Sequence, residues 1–122
     1  MKVIDLSGRT AIVTGGAGQI GRALCKGLAE CGANVVIGYY SSEDFAQELS
    51  AQIEKENNVK ALPIKVDITN LESILGMKEI IKREIGTTSI LVNNAVIAHE
   101  WKKILDQDIK SYESQFRSSV LQ

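Results

Sequence analysis

Between Val13 and Leu24 the chain runs VTGGAGQIGRAL, with glycines at 15, 16, 18 and 21 between an apolar run and a stretch of helical spacing. Four glycines in seven residues cost conformational entropy that a plain turn need not incur. That cost points away from a bare strand-to-helix connection and toward a turn that holds something. Gly16, Gly18 and Gly21 fit G-x-G-x-x-G, and the match has the right surroundings, after a strand and opening a helix. One glycine in such a turn takes positive φ, another lets the backbone approach a pyrophosphate, and the last lets the helix pack close to the sheet. The N–H groups of the helix start then face the phosphates.

The rest of the chain alternates in the same way. Thr10 to Thr14 (TAIVT) has the pattern of a short buried strand, and Ile20, Ala23, Leu24, Gly27, Leu28 and Cys31 have helical spacing, stopped by Gly32. Val35 to Ile37 is a second strand. Ser41 and Ser42 followed by Glu43 and Asp44 start a helix with Phe45, Leu49 and Ile53 on one face. Ala61 to Val66 is a third strand. Asn70 caps a helix that turns Ile74, Met77, Ile81 and Ile85 inward and ends at Gly86. Ile90 to Asn93 is a fourth strand, and Asp108 to Leu121 a last, mostly polar helix. Short apolar strands alternating with helices predict an α/β fold, a doubly wound parallel sheet covered on both faces.

The bulk numbers restrict the partners. A chain of 122 residues with 44% apolar residues has the size of one domain, spanning 1–122. Fourteen basic against fifteen acidic side chains leave a net charge of −1, so there is no basic field for nucleic acid or an anionic membrane. No apolar run approaches a membrane span. Met1 to Arg9 carries charge and a glycine where a signal peptide needs its apolar core, which predicts a cytoplasmic address. Cys25 and Cys31 are six apart without CxxC spacing, so they predict free thiols and no metal site. His99, beside Glu100 and Trp101, has no partner pattern and is taken as plain surface.

A dinucleotide site usually carries an Asp or Glu about 20 residues past the glycines, at the end of the second strand. That position is near Tyr39, in VVIGYYSSED, and is not acidic. Tyr39, Tyr40, Ser41 and Ser42 could hydrogen-bond a 2′-phosphate, but no Lys or Arg lies between Lys26 and Lys55. Loss of a repelling acid tilts the expectation toward NADP(H), with NAD(H) as the alternative.

TGGAGQIG, VDIT and NNAV, in this order and spacing, resemble the short-chain dehydrogenase/reductase family over nearly the whole chain. The family's first motif is TGxxxGxG. Thr14, Gly15 and Gly21 match it, while Gln19 occupies the middle glycine and Gly18 gives TGxxGxxG instead. That spacing is seen in the branch handling nucleotide sugars, so an epimerase or dehydratase is a further reading. The resemblance implies a Rossmann-type sheet in the order 3-2-1-4. It implies cofactor contacts from Gly15, Ala17, Gly18, Gln19, Ile20 and Gly21. Asp67 and Ile68 would meet the adenine. Asn93 and Ala95 would lie under the adenosine ribose, with Asn93 also tying strands together. Val96 stands where the family has glycine.

The family's chemistry is hydride transfer with a tyrosine as acid/base, a lysine four residues later, a serine, and an asparagine on the preceding helix. Tyr39, Tyr40 and Tyr112 all lack that lysine, and the asparagine position falls near Ser119. The implied catalytic set is absent. The sheet is incomplete relative to the family, and the chain is expected to be inactive alone. The expectation is the cofactor-binding half of an NAD(P)(H)-dependent oxidoreductase acting on a small carbonyl or alcohol, as a homo-oligomer by resemblance. A non-catalytic nucleotide-binding or interaction module is the alternative.

Overall fold

The computed structural model describes residues 3–97 and 101–120. It alternates strand and helix: β1 (Thr10–Thr14), α1 (Gln19–Glu30), β2 (Asn34–Tyr39), α2 (Glu43–Glu56), β3 (Ala61–Lys65), α3 (Leu71–Glu84) and β4 (Ile90–Val92). A short 3-10 turn (Ile104–Asp106) and α4 (Ile109–Ser119) follow. The four strands form one parallel sheet in the order β3-β2-β1-β4, the order the resemblance implied.

Strand β2 shows why the sheet needs cover on both sides. Val35, Val36 and Ile37 are all fully buried, and successive side chains point to opposite faces. Val35 and Ile37 join Cys25, Ala29, Leu49 and Ile53 under α1 and α2, while Val36 joins Ile64, Met77 and Ile81 under α3. Each such side chain contributes roughly 1.5–3 kcal/mol when fully buried. The helices are thus held on the sheet by the two-faced apolar strand between them.

The boundaries differ from expectation at the strand ends. β2 runs to Tyr39 because it pairs in register with β1 on one side and β3 on the other. β4 stops at Val92, and the expected fourth residue, Asn93, lies beyond it. Asn70 caps α3 as expected, its side chain accepting from the Ser73 N–H at 3.2 Å. Asp108 likewise caps α4, accepting from the Ser111 N–H at 2.6 Å. His99, Glu100 and Leu121 lie outside the described residues. Among those described, β4 pairs only with β1, and Leu91 on it is 61% exposed. Ile109, Tyr112, Phe116 and Val120 of α4 are also exposed.

Both cysteines are free, Cys25 buried and Cys31 half-buried. Burial pushes the Cys25 thiol up to about 12, which removes the reactive thiolate at neutral pH. One thiol per native chain is therefore expected to react promptly with a thiol reagent, and two in denaturant. Two prompt native thiols would show that α1 does not pack on the sheet. Among the described residues there is no His, Cys, Asp and Glu cluster that could hold a metal ion. No described helix is long and apolar enough to cross a membrane.

Candidate functional site

Because all four strands are parallel, their carboxyl ends share one edge of the sheet. That edge is where open α/β sheets bind ligands. The glycine turn leaves β1 there, and the glycines divide its work. Gly15 takes φ +62°, the left-handed conformation that suits glycine. A Cβ on it would stand 2.9 Å from the Ala95 Cα. Gly16 is buried, and a Cβ there would meet Ile37, Val13 and Cys25. A Cβ on Gly21 would lie 2.1 Å from the Gly15 carbonyl oxygen. The close approach is therefore between α1 and the turn itself, where the sequence motif suggested helix against sheet. Gly18 differs from all three: a Cβ there would meet only the Gly15 oxygen, at 3.4 Å.

The turn is locked from the far side by the loop after β4. The Asn94 side-chain amide donates to the carbonyls of Thr14 and Gly15, each at 3.1 Å. The Thr14 hydroxyl accepts from the backbone N–H groups of Asn94 at 3.0 Å and Ala95 at 3.1 Å, and donates to the Val92 carbonyl. The inter-strand tie expected of Asn93 is thus made by Asn94. Past β4 the chain alternates, so Asn94 turns back toward β1 and Asn93 is exposed. Two adjacent asparagines offer no local signal that separates them. Ala95 lies against the turn, and Val96 is exposed.

Gly18 is the N-cap of α1, with no side-chain capping bond and no acid in the first turn. The other three α-helices have an acidic first turn or a side-chain cap. The α1 start therefore leaves backbone N–H groups and a positive dipole end toward an open cradle that a side chain at 18 would fill. Ala17 is buried behind the turn, and Gln19 and Ile20 are exposed on it. Gly18→Val is expected to keep the fold, at about 1 kcal/mol for the poorer cap. It should weaken ADP-ribose binding at least about tenfold. Calorimetry and a denaturant melt check the two halves, and unchanged affinity would remove this turn as the phosphate site.

Asp67 follows β3 on the same edge. Its Oδ1 accepts from the Thr69 hydroxyl at 2.6 Å and the Thr69 N–H at 2.9 Å. These two bonds hold the carboxyl below its ordinary range, the hydroxyl contributing more than the N–H. Asp67 is thus ionised at neutral pH, with its second oxygen available to an amino group. Ile68 packs beside the α3-side core. At the end of β2, Tyr39 is only 8% exposed and belongs to the core cluster. Burial, then the nearby Glu43 carboxylate, raise its phenol above the ordinary value. Its neighbour Tyr40 is the exposed ring. Ser41 is exposed, and Ser42 is the α2 N-cap, with no side-chain capping bond.

Comparison with known proteins fits this geometry. A sequence profile of the short chain dehydrogenases matches residues 9–120. The chain is 31% identical over 116 residues to glucose 1-dehydrogenase 2 of Bacillus subtilis (strain 168), covering 86% of this chain and 45% of that protein. It is 28% identical over 123 residues to the NADP-dependent mannitol dehydrogenase of Aureobasidium melanogenum, covering 99% and 46%. The crystal structure of a short-chain type dehydrogenase/reductase from Mycobacterium marinum superposes with a TM-score of 0.86 at 31% identity, covering 97% of this chain and 47% of that one. The chain thus spans a little under half the length of these relatives. With the profile matched from the start of β1 through α4, and the glycine turn, Asp67 and the Asn94 clamp on one sheet edge, the chain belongs to the short-chain dehydrogenase family.

Proposed function

We propose that this chain is the cofactor-binding part of an NAD(P)(H)-dependent oxidoreductase that acts on a small carbonyl or alcohol. The open glycine cradle at Gly18, backed by an uncapped helix start, is the observation that carries it. When bound, the cofactor supplies or takes up the hydride. The residues here do the holding. The N–H groups at the α1 start, with Gly18 giving close approach, take the pyrophosphate. The free Asp67 oxygen accepts from the adenine amino group beside Ile68. Asn93 and Ala95 lie under the adenosine ribose, and the segment from Tyr39 to Ser42 borders its hydroxyls.

NADP(H) is the preferred form in this reading. β2 ends without a carboxylate until Glu43, and one relative is NADP-dependent by name. No tyrosine of the chain is followed four residues later by lysine, so the 122 residues are expected to bind without turning over. A second copy of the chain as partner and a cytoplasmic address complete the proposal. Titration of the folded chain with ADP-ribose, NADP⁺ and NAD⁺ by calorimetry tests it. Absence of binding would remove the dinucleotide site, and measurable turnover would overturn the separation of binding from chemistry.

A further inference from the structure

Among the described residues β3 pairs only with β2, so its other side is an edge of the sheet. An edge strand presents a row of backbone N–H and C=O groups, a ready template for a strand of another molecule. The ladder to β2 fixes which groups of β3 face that edge. The Val35 N–H donates to the Lys60 carbonyl, and the Val66 N–H donates to the Tyr39 carbonyl. In a parallel ladder the residues that bond a neighbour alternate with those that turn away from it. Ala61, Pro63 and Lys65 therefore turn their backbone groups to the open side. Two side chains of α2 reach the first of them. The Ser50 hydroxyl donates to the Ala61 carbonyl at 2.7 Å, and the Ala61 N–H donates to Glu54 Oε1 at 3.1 Å. Ser50 and Glu54 stand one turn apart on the same face of α2, and Ser50 is buried. The next outward residue is proline, which has no N–H to offer. The outward N–H of β3 that remains is that of the exposed Lys65, at the end of the strand.

We infer that α2 straps the β3 edge shut against strand addition by a second copy of the chain. The competing strand is β3 of that copy, antiparallel across a two-fold axis, where each edge offers the other the same groups. Such a ladder draws on the donor and acceptor of Ala61 and on a donor at position 63. Ser50 and Glu54 occupy the first two, and Pro63 removes the third. Proline alone would leave Ala61 able to pair, and the α2 side chains alone would leave the middle of the strand able to pair. The closure needs both. It lies at the amino end of β3, away from the edge that carries the glycine turn, and does not rest on the proposed dinucleotide site. A second copy that binds this chain therefore binds it elsewhere than at β3.

The test is amide hydrogen exchange on the whole chain at low and high protein concentration. It compares the parent with Glu54→Ala, Glu54→Gln and the triple variant Ser50→Ala, Glu54→Ala, Pro63→Val. The Ala61 amide should exchange at least about tenfold faster in Glu54→Ala than in the parent. Glu54→Gln keeps an acceptor oxygen and should hold the rate within about threefold of the parent's. As concentration rises, the triple variant should gain at least about tenfold protection at positions 61 and 63, with dimers or larger species in sedimentation velocity. The parent should gain none there. Circular dichroism confirms folding. Should the triple variant not fold, Glu54→Ala with Pro63→Val leaves the buried Ser50 bond in place and carries the same expectation. An Ala61 rate unmoved by Glu54→Ala overturns the inference. So does a folded, opened variant that gains no protection at 61 and 63 on concentration, and so does a parent that gains it.

Discussion

Gly21→Val is expected to destabilise the chain by at least about 3 kcal/mol, the upper end of ordinary overpacking. The atoms that a Cβ would meet are the Gly15 oxygen at 2.1 Å, the Gly16 Cα at 2.7 Å and the Gly15 carbonyl carbon at 2.9 Å. All three are backbone, and none can swing aside as a side chain does. Either α1 slides off the turn, uncovering Cys25 and Ala29 in the core, or the turn opens and loses its bonds to Asn94. Against a total stability of about 5–15 kcal/mol, either outcome is severe. Even Gly21→Ala meets the same contacts. Denaturant melts of both variants beside Gly18→Val check this. A Gly21→Ala midpoint equal to the parent's would show that α1 does not approach the turn so closely.

The second large effect is expected at Thr14. Valine in its place keeps the shape of the side chain and removes the hydroxyl. That hydroxyl accepts two backbone N–H groups, of Asn94 and Ala95, and donates to Val92. Thr14 itself is buried. The two N–H groups left without this acceptor are half-buried, and an unmet donor costs about 1–3 kcal/mol, so Thr14→Val should lose about that much, while Thr14→Ser should recover most of it. Amide hydrogen exchange gives a local readout, with protection at Asn94 and Ala95 falling before that of β2. Equal stability of Thr14→Val and parent would show that the hydroxyl does not hold the loop to β1.

The elements that a periodic apolar pattern can encode were legible before the structure. The β1 bounds, the α3 cap at Asn70 and the alternation of strands and helices follow from side-chain spacing and capping chemistry. The glycine turn was legible as a tight connection from β1 into α1, but the separate work of its glycines was not. That Gly15 presses on Ala95 and Gly21 on Gly15 depends on where β4 and α1 come to rest. Asn93 and Asn94 are chemically identical, and only the geometry past Val92 decides which one faces β1. Tyr39 looked like a ribose ligand because it ends β2, yet strand alternation puts its ring in the core and leaves Tyr40 outside. Parallel pairing likewise sets Lys65 beside Tyr39 across 26 residues, a neighbourhood that local sequence does not encode.

The Asn94 amide reaches Gly15 from 79 residues away, and this gives the cradle a history as well as a shape. Contacts of such wide separation are made late, because the loop between them must be closed before they give any return. The glycine motif can exist in a nascent chain long before the cradle does. Ligand capture during refolding should therefore trail the assembly of β1, β2 and β3, and appear only when β4 docks. The coupling also runs in reverse. A ligand that binds only the completed cradle, at a hundred times its Kd, adds about 2.7 kcal/mol to the state in which β4 is in place. The three-residue strand β4 at the sheet's edge is then the one that such a ligand would brace.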